Sequence, residues 1–281
     1  MSKAPVIKIA DKENPNAKPI TEETIHKFVK LVNAGLVDGG YGTLDDDEDT
    51  THIKPGEMCV EEAVTRALDL PFNDQPFCVS VNTRALKISL NDDVEWRSDK
   101  HRGQGLKRLG IAQLGTHQKF NDEQLIVEVM NYFTRLFAME LYKAGTEAEK
   151  HLKKDSATDD MVAAAILFKP AARHLYNAPS ERNVTVLRDV FNFSSEFFQA
   201  LDELHTELQE FLQRNEVEAT AGIINNFADY FGYSDNERVR FYEQVCEDMV
   251  QILVALKAEG VKFLHLTKPP KPFTKHITAI E

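Results

Sequence analysis

Cys59 has the most chemical promise of any residue in this chain. Pro55-Gly56 halts the backbone and a helix is expected from close to Glu57, which puts Cys59 in a first helical turn. At such a position the helix dipole lowers a thiol pKa, and free N–H groups can hold an oxyanion. A hydrolase built this way needs a base. His52, His101 and His117 are the candidates, with Asp74 or Asn91 as the orienting group. Against this, Cys59 is followed by Val60 within an apolar stripe, and free cysteine is among the most buried residue types. The packing role therefore outweighs the nucleophilic one, and no residue is assigned a catalytic role.

Metal and phosphate chemistry fare no better. His52, Cys59, Cys78 and His101 make four zinc ligands on paper, but no two share the short spacing that preassembles a zinc site. The acidic run Asp45 to Asp49 invites calcium. Counted from Asp46, position twelve is Glu57 as required, but position six is Thr51 where the turn needs glycine. Gly39-Gly-Tyr-Gly lacks the Lys-Ser/Thr and strand-to-helix setting of a phosphate loop. The Glu-rich stretch 203–218 lacks the Glu-x-x-His pairs of di-metal bundles, and His174 and His205 are single residues on helices. His101-Arg-Gly-Gln-Gly-Leu-Lys-Arg is the basic cluster of the first half. It can meet a phosphate or an acidic partner face, or serve as the wet side of a helix. No cofactor is expected.

The elements that must position these residues are helical. Thr21 is the expected N-cap of a first helix, with Glu22 and Glu23 in its first turn and Ile25, Phe28, Val29 and Val32 on one face. The helix from Glu57 ends before Pro71, which pushes its predecessor out of helical geometry. A helix over about 83–90 and another over about 99–114 follow, with Trp96 closing a small core between them. Gly103, Gly105 and Gly110 mark close approach or interruption in the second of these. Helical periodicity returns near 121–143, 158–176, 184–213, 216–231 and 235–259. Breaks are expected at Gly145, Pro179 and Gly232, and a kink at Pro170. The 184–213 segment holds an apolar stripe from Leu187 to Leu212, which suits a bundle core or an oligomer contact. Val6–Ala10 reads as an arm or edge strand, and Lys268-Pro-Pro-Lys-Pro-Phe as an extended tail that could pair with it or reach another subunit.

The expected fold is therefore mainly α. A small N-terminal helical domain (21–117) precedes an antiparallel helical bundle (121–262), with extended arms at 1–20 and 263–281.

Bulk composition narrows the functional classes. The 281 residues are 42% hydrophobic and carry 45 acidic against 33 basic side chains, a formal net charge of -12. That balance argues against broad nucleic-acid binding, which needs a basic face. The longest apolar runs fall far short of the roughly 20 residues a bilayer requires. The first residues lack the apolar core of a secretion signal, and three cysteines do not make a disulfide framework. The expected setting is a bacterial cytoplasm.

Five segments within residues 30–117 carry a resemblance. They are Leu31-Val-Asn-Ala-Gly-Leu-Val, Pro55-Gly-Glu-Met-Cys-Val-Glu-Glu-Ala-Val, Leu70-Pro-Phe-Asn-Asp-Gln-Pro-Phe-Cys-Val, Arg84 to Asp92, and Ile111-Ala-Gln-Leu-Gly. This third of the chain resembles a family found in bacterial genomes, mobile elements and phages, whose members have no assigned activity. The resemblance thus implies a setting and no catalytic residue. The family pattern has glycine in its Ala-Leu-Gly-Leu-Pro turn where this chain has Asp69, and often His where this chain has Phe72-Asn73. Residues 121–281 resemble no family. Together these features favour a non-enzymatic accessory protein that binds a protein of a host complex, with self-assembly and Cys59 hydrolysis as alternatives. Phe198, Leu201 and Leu208 on the long helix and Phe273 in the tail are the residues expected to carry binding.

Overall fold

The computed structural model describes residues 4–10, 14–39, 52–152, 158–180, 183–184, 199–275 and 280. They form a mainly helical bundle. Helix α1 (Glu22–Asn33) opens at Thr21, whose side chain caps Thr24 while Thr24 caps it in return, and buries Ile25, Phe28 and Val32. Helix α2 (Val60–Ala67) starts three residues later than the sequence suggests. Cys59 stands just outside it as the N-cap: its Sγ accepts from the Glu62 N–H, and Glu62 accepts the Cys59 N–H. Helices α3 (Val81–Asp92) and α4 (Asp99–Ala112) follow, then the short α5 (Thr116–Lys119).

Helix α6 (Asp122–Leu152) runs straight through Gly145, where a break was expected. Helix α7 (Asp159–Asn177) folds back antiparallel along it, so that Gly145 meets Phe168 and Lys169, and Glu149 pairs with Lys169 at 2.9 Å. A Cβ at Gly145 would lie 3.0 Å from that of Phe168, so this glycine sets how closely the two helices approach. Pro170 sits within α7 without ending it. Helices α8 (Gln199–Arg214), α9 (Thr220–Tyr230) and α10 (Asp235–Ala255) complete the bundle, and a 3-10 segment (Glu259–Leu266) follows.

The two expected domains share one continuous core. Helix α4 packs along α10, α3 packs on α6, and one cluster of buried apolar side chains runs from Ile7 to Phe273. Trp96 does more than close a local core: its ring meets Tyr242 of α10 edge-on at 5.6 Å and its indole N–H donates to the Leu90 carbonyl. The glycines of α4 serve close approach. A Cβ at Gly103 would strike the Val32 carbonyl, one at Gly105 the Trp96 ring, and one at Gly110 the Phe28 ring.

Each arm departs in part from expectation: a 3-10 helix runs through residues 263–266, and the N-terminal arm joins the core. Ile7 and Ile9 are buried, alternating with exposed Val6 and Lys8, and are core residues. Ile7 pairs with Ile20 in an isolated antiparallel bridge, and no sheet joins it to the C-terminal tail among the described residues. That tail docks on the chain's own α10: Phe273 lies under the Arg240 guanidinium and edge-on to Tyr233. No helix among the described residues is long and apolar enough to cross a membrane.

Candidate binding cleft

The structure places most of the residues singled out by chemistry in structural roles. Cys59 is buried, and burial together with the charges of Glu62 and Glu61 pushes its thiol well above the ordinary range. Cys78 is likewise pushed up to about 12, chiefly by burial. His101 Nδ1 pairs with Ser98 Oγ at 2.9 Å, and His117 Nδ1 lies 3.1 Å from the Cys78 carbonyl. The Nδ1 atoms of these two histidines are therefore engaged with Ser98 and the Cys78 carbonyl rather than with Cys59. A cysteine at an N-cap would be activated if it faced solvent or a cation. Here burial and two glutamates outweigh the nearby Lys87. Among the described residues no group of three or more His, Cys, Asp or Glu could hold a metal ion. The acidic run at 45–49 lies outside the described residues.

Of the residues expected to bind a partner, Leu201, Leu208 and Phe273 are buried in the chain's own core. Phe198 lies outside the described residues. His205 on α8 is buried with its Nε2 2.9 Å from the Val184 carbonyl, a structural tie. The basic cluster on α4 is largely spent on the fold. Arg102 bonds the carbonyls of Asn91 and Leu36, and Arg108 grips Glu247.

A concavity of about 450 Å³ opens instead where α6, α7 and α10 meet. Helix α6 contributes Glu128, Tyr132, Arg135, Leu136 and Met139, which share one face at spacings of three and four. Helix α10 contributes Asp248, Gln251, Ile252 and Ala255 by the same rule, and α7 adds Tyr176. Leu136, Met139 and Ile252 are apolar, flanked by the two tyrosine rings.

One polar relay crosses this wall. Tyr132 donates its hydroxyl to Asp248 Oδ2 at 2.9 Å, and Gln244 Nε2 donates to Oδ1 at 2.8 Å. Gln244 is in turn oriented by the Phe273 N–H, which donates to its Oε1 at 3.0 Å. The docked tail thus fixes the amide that holds Asp248. Burial raises the Asp248 carboxyl above its usual range, with the two donors opposing that shift. Burial, reinforced by the neighbouring carboxylate, raises the Tyr132 phenol further. At the rim, Arg135 Nε donates to the Tyr176 carbonyl at 3.4 Å.

Sequence reasoning missed this cleft. Its signal is the polar flank of two amphipathic helices, 128-132-135-136-139 and 248-251-252-255, which becomes a site only when α6 and α10 pack. Relays of this kind orient a carboxylate for binding. No protein-family model, curated protein or solved structure matches the chain.

Proposed function

We propose that the protein is a non-enzymatic binding protein whose cleft between α6, α7 and α10 receives a segment of a partner protein. The observation that carries this reading is the cleft's mixed lining: an apolar floor of Leu136, Met139 and Ile252 beside the Tyr132–Asp248 pair. Glu128 and Asp248 outnumber Arg135 there, so the complementary segment is amphipathic and presents a basic side chain next to apolar ones. The net charge of -12 would steer such a partner toward the surface.

The setting we propose is that of a phage or mobile-element accessory protein in a bacterial cytoplasm, whose partner belongs to a host complex that binding would block. This part rests on the resemblance of residues 30–117. The turn at Asp69 supports it: Asp69 adopts a left-handed φ of 55°, the conformation that the family's glycine would supply without strain. The hydrolase alternative is disfavoured by the burial of Cys59 and its raised thiol.

The test is affinity capture from a bacterial lysate with native mass measurement, run on wild type and Met139→Arg in parallel. A single partner at fixed stoichiometry, lost from the variant, supports the cleft. A partner held equally by both proteins, or no partner at all, counts against it.

A further inference from the structure

A second concavity, of about 390 Å³, lies where α4, α10 and the C-terminal segment meet. Its lining is dominated by charge: Lys107 and Arg108 from α4, Glu243 and Glu247 from α10, and Lys268 beyond the 3-10 segment. Two of these charges are already matched. Arg108 grips Glu247 through two bonds, Nε to Oε2 at 2.7 Å and Nη2 to Oε1 at 3.2 Å. Its remaining Nη1 donates to the carbonyls of Leu264 and Thr267. This pair is a brace between α4, α10 and the C-terminal segment.

Each helix then leaves one charge open to the same pocket. Lys107 and Glu243 are both partly buried, and among the described residues neither makes a hydrogen bond or ion pair with any other group. Burial accordingly lowers the Lys107 ammonium, and it raises the Glu243 carboxyl with His101 and Arg240 opposing that shift without bonding it. Although they line one pocket, they are not paired with each other. Lys268, exposed at the edge, adds a second cation to the lining.

We propose that this pocket binds a small acidic amino acid, its ammonium on Glu243 and its carboxylates on Lys107 and Lys268. A simple anion would satisfy the lysines but meet Glu243. A simple cation would satisfy Glu243 but meet Lys107. A ligand carrying both signs meets Glu243, Lys107 and Lys268 each with the opposite charge, and the volume is that of a small-molecule site. This site is separate from the partner cleft and stands or falls independently of it.

Isothermal titration of the full chain with L-glutamate, glutarate and γ-aminobutyrate tests the proposal. These probes differ by the ammonium or by one carboxylate. Glutamate is expected to bind about tenfold tighter than either analogue, the worth of one charge-assisted hydrogen bond. Glu243→Gln should weaken glutamate about tenfold while leaving glutarate unchanged or improved. Lys107→Met should weaken both. Both side chains are unpaired and partly exposed, so each variant should melt with the wild type, which thermal unfolding checks. Glutarate binding as tightly as glutamate, an unaffected Glu243→Gln, or the absence of saturable glutamate binding would overturn it.

Discussion

Lys87 Nζ lies 2.8 Å from Glu61 Oε1, and both side chains are wholly shut off from solvent. Gln113 Nε2 holds the other Glu61 oxygen at 3.1 Å. The pair links α2, α3 and the end of α4, with Cys59 and Cys78 among the neighbours of Lys87. Burial pushes the Glu61 carboxyl up and the Lys87 ammonium down, against their mutual attraction. Removing one partner strands the other. Lys87→Met should therefore cost about 3–5 kcal/mol in urea unfolding, whereas Glu61→Gln with Lys87→Met should recover most of that loss. An additive double variant would show that the two groups do not act as a pair.

The thiols give a second prediction. Cys59, Cys78 and Cys246 are all buried and free, and burial raises each above its ordinary range. A native sample at neutral pH should show no fast-reacting thiol toward a disulfide reagent, and all three should react after denaturation. One rapid native equivalent that maps to Cys59 would reopen the hydrolase reading.

Asp248 makes stability depend on pH in a definite direction. Its folded pKa is raised by burial, so the folded chain holds this proton to higher pH than the unfolded chain does. The associated stability is fully present below the unfolded value of about 4 and is lost as pH rises through the folded value. Asn at this position can accept one bond from Gln244 and donate one to the Tyr132 oxygen. Asp248→Asn should then show a smaller fall in Tm than wild type as pH rises from about 4 toward neutrality. Glu61 and Glu140 shift in the same sense in both proteins, so the difference between them isolates Asp248.

Two glycines predict opposite signs. A Cβ at Gly103 would meet the Val32 backbone carbonyl, which cannot swing away. Gly103→Ala should cost about 1–3 kcal/mol despite its better helix propensity. Gly222 in α9 has nothing within 4 Å of such a Cβ. Gly222→Ala should be neutral or stabilising by up to about 1 kcal/mol. Thermal unfolding of both variants checks the pair.

Local chemistry made much of the fold legible. Thr21 with its two following glutamates marked the start of α1, and the capping box is there. The α4 glycines pointed to close approach or interruption, and it is close approach: backbone or rings occupy the space their side chains would need. Gly145 looked the same on paper as a helix end. Only the packing of Phe168 against it distinguishes a contact glycine from a break. Cys59 misled because sulfur is an unusual cap, so the helix start was placed three residues early. Ile7 and Ile9 alternate as a one-face strand should, but their burial depends on the bridge to Ile20 and on joining the common core. The cleft was the least legible feature. Tyr132 and Asp248 lie 116 residues apart and become a site only through the packing of α6 on α10.

The central claim is that a partner segment occupies the cleft. Hydrogen exchange of the chain alone and in its captured complex tests this most directly. The account predicts new protection concentrated in α6 around 128–139, in α7 near Tyr176 and in α10 around 248–255. Protection confined to other surfaces, with these three segments exchanging as in the free chain, would contradict it.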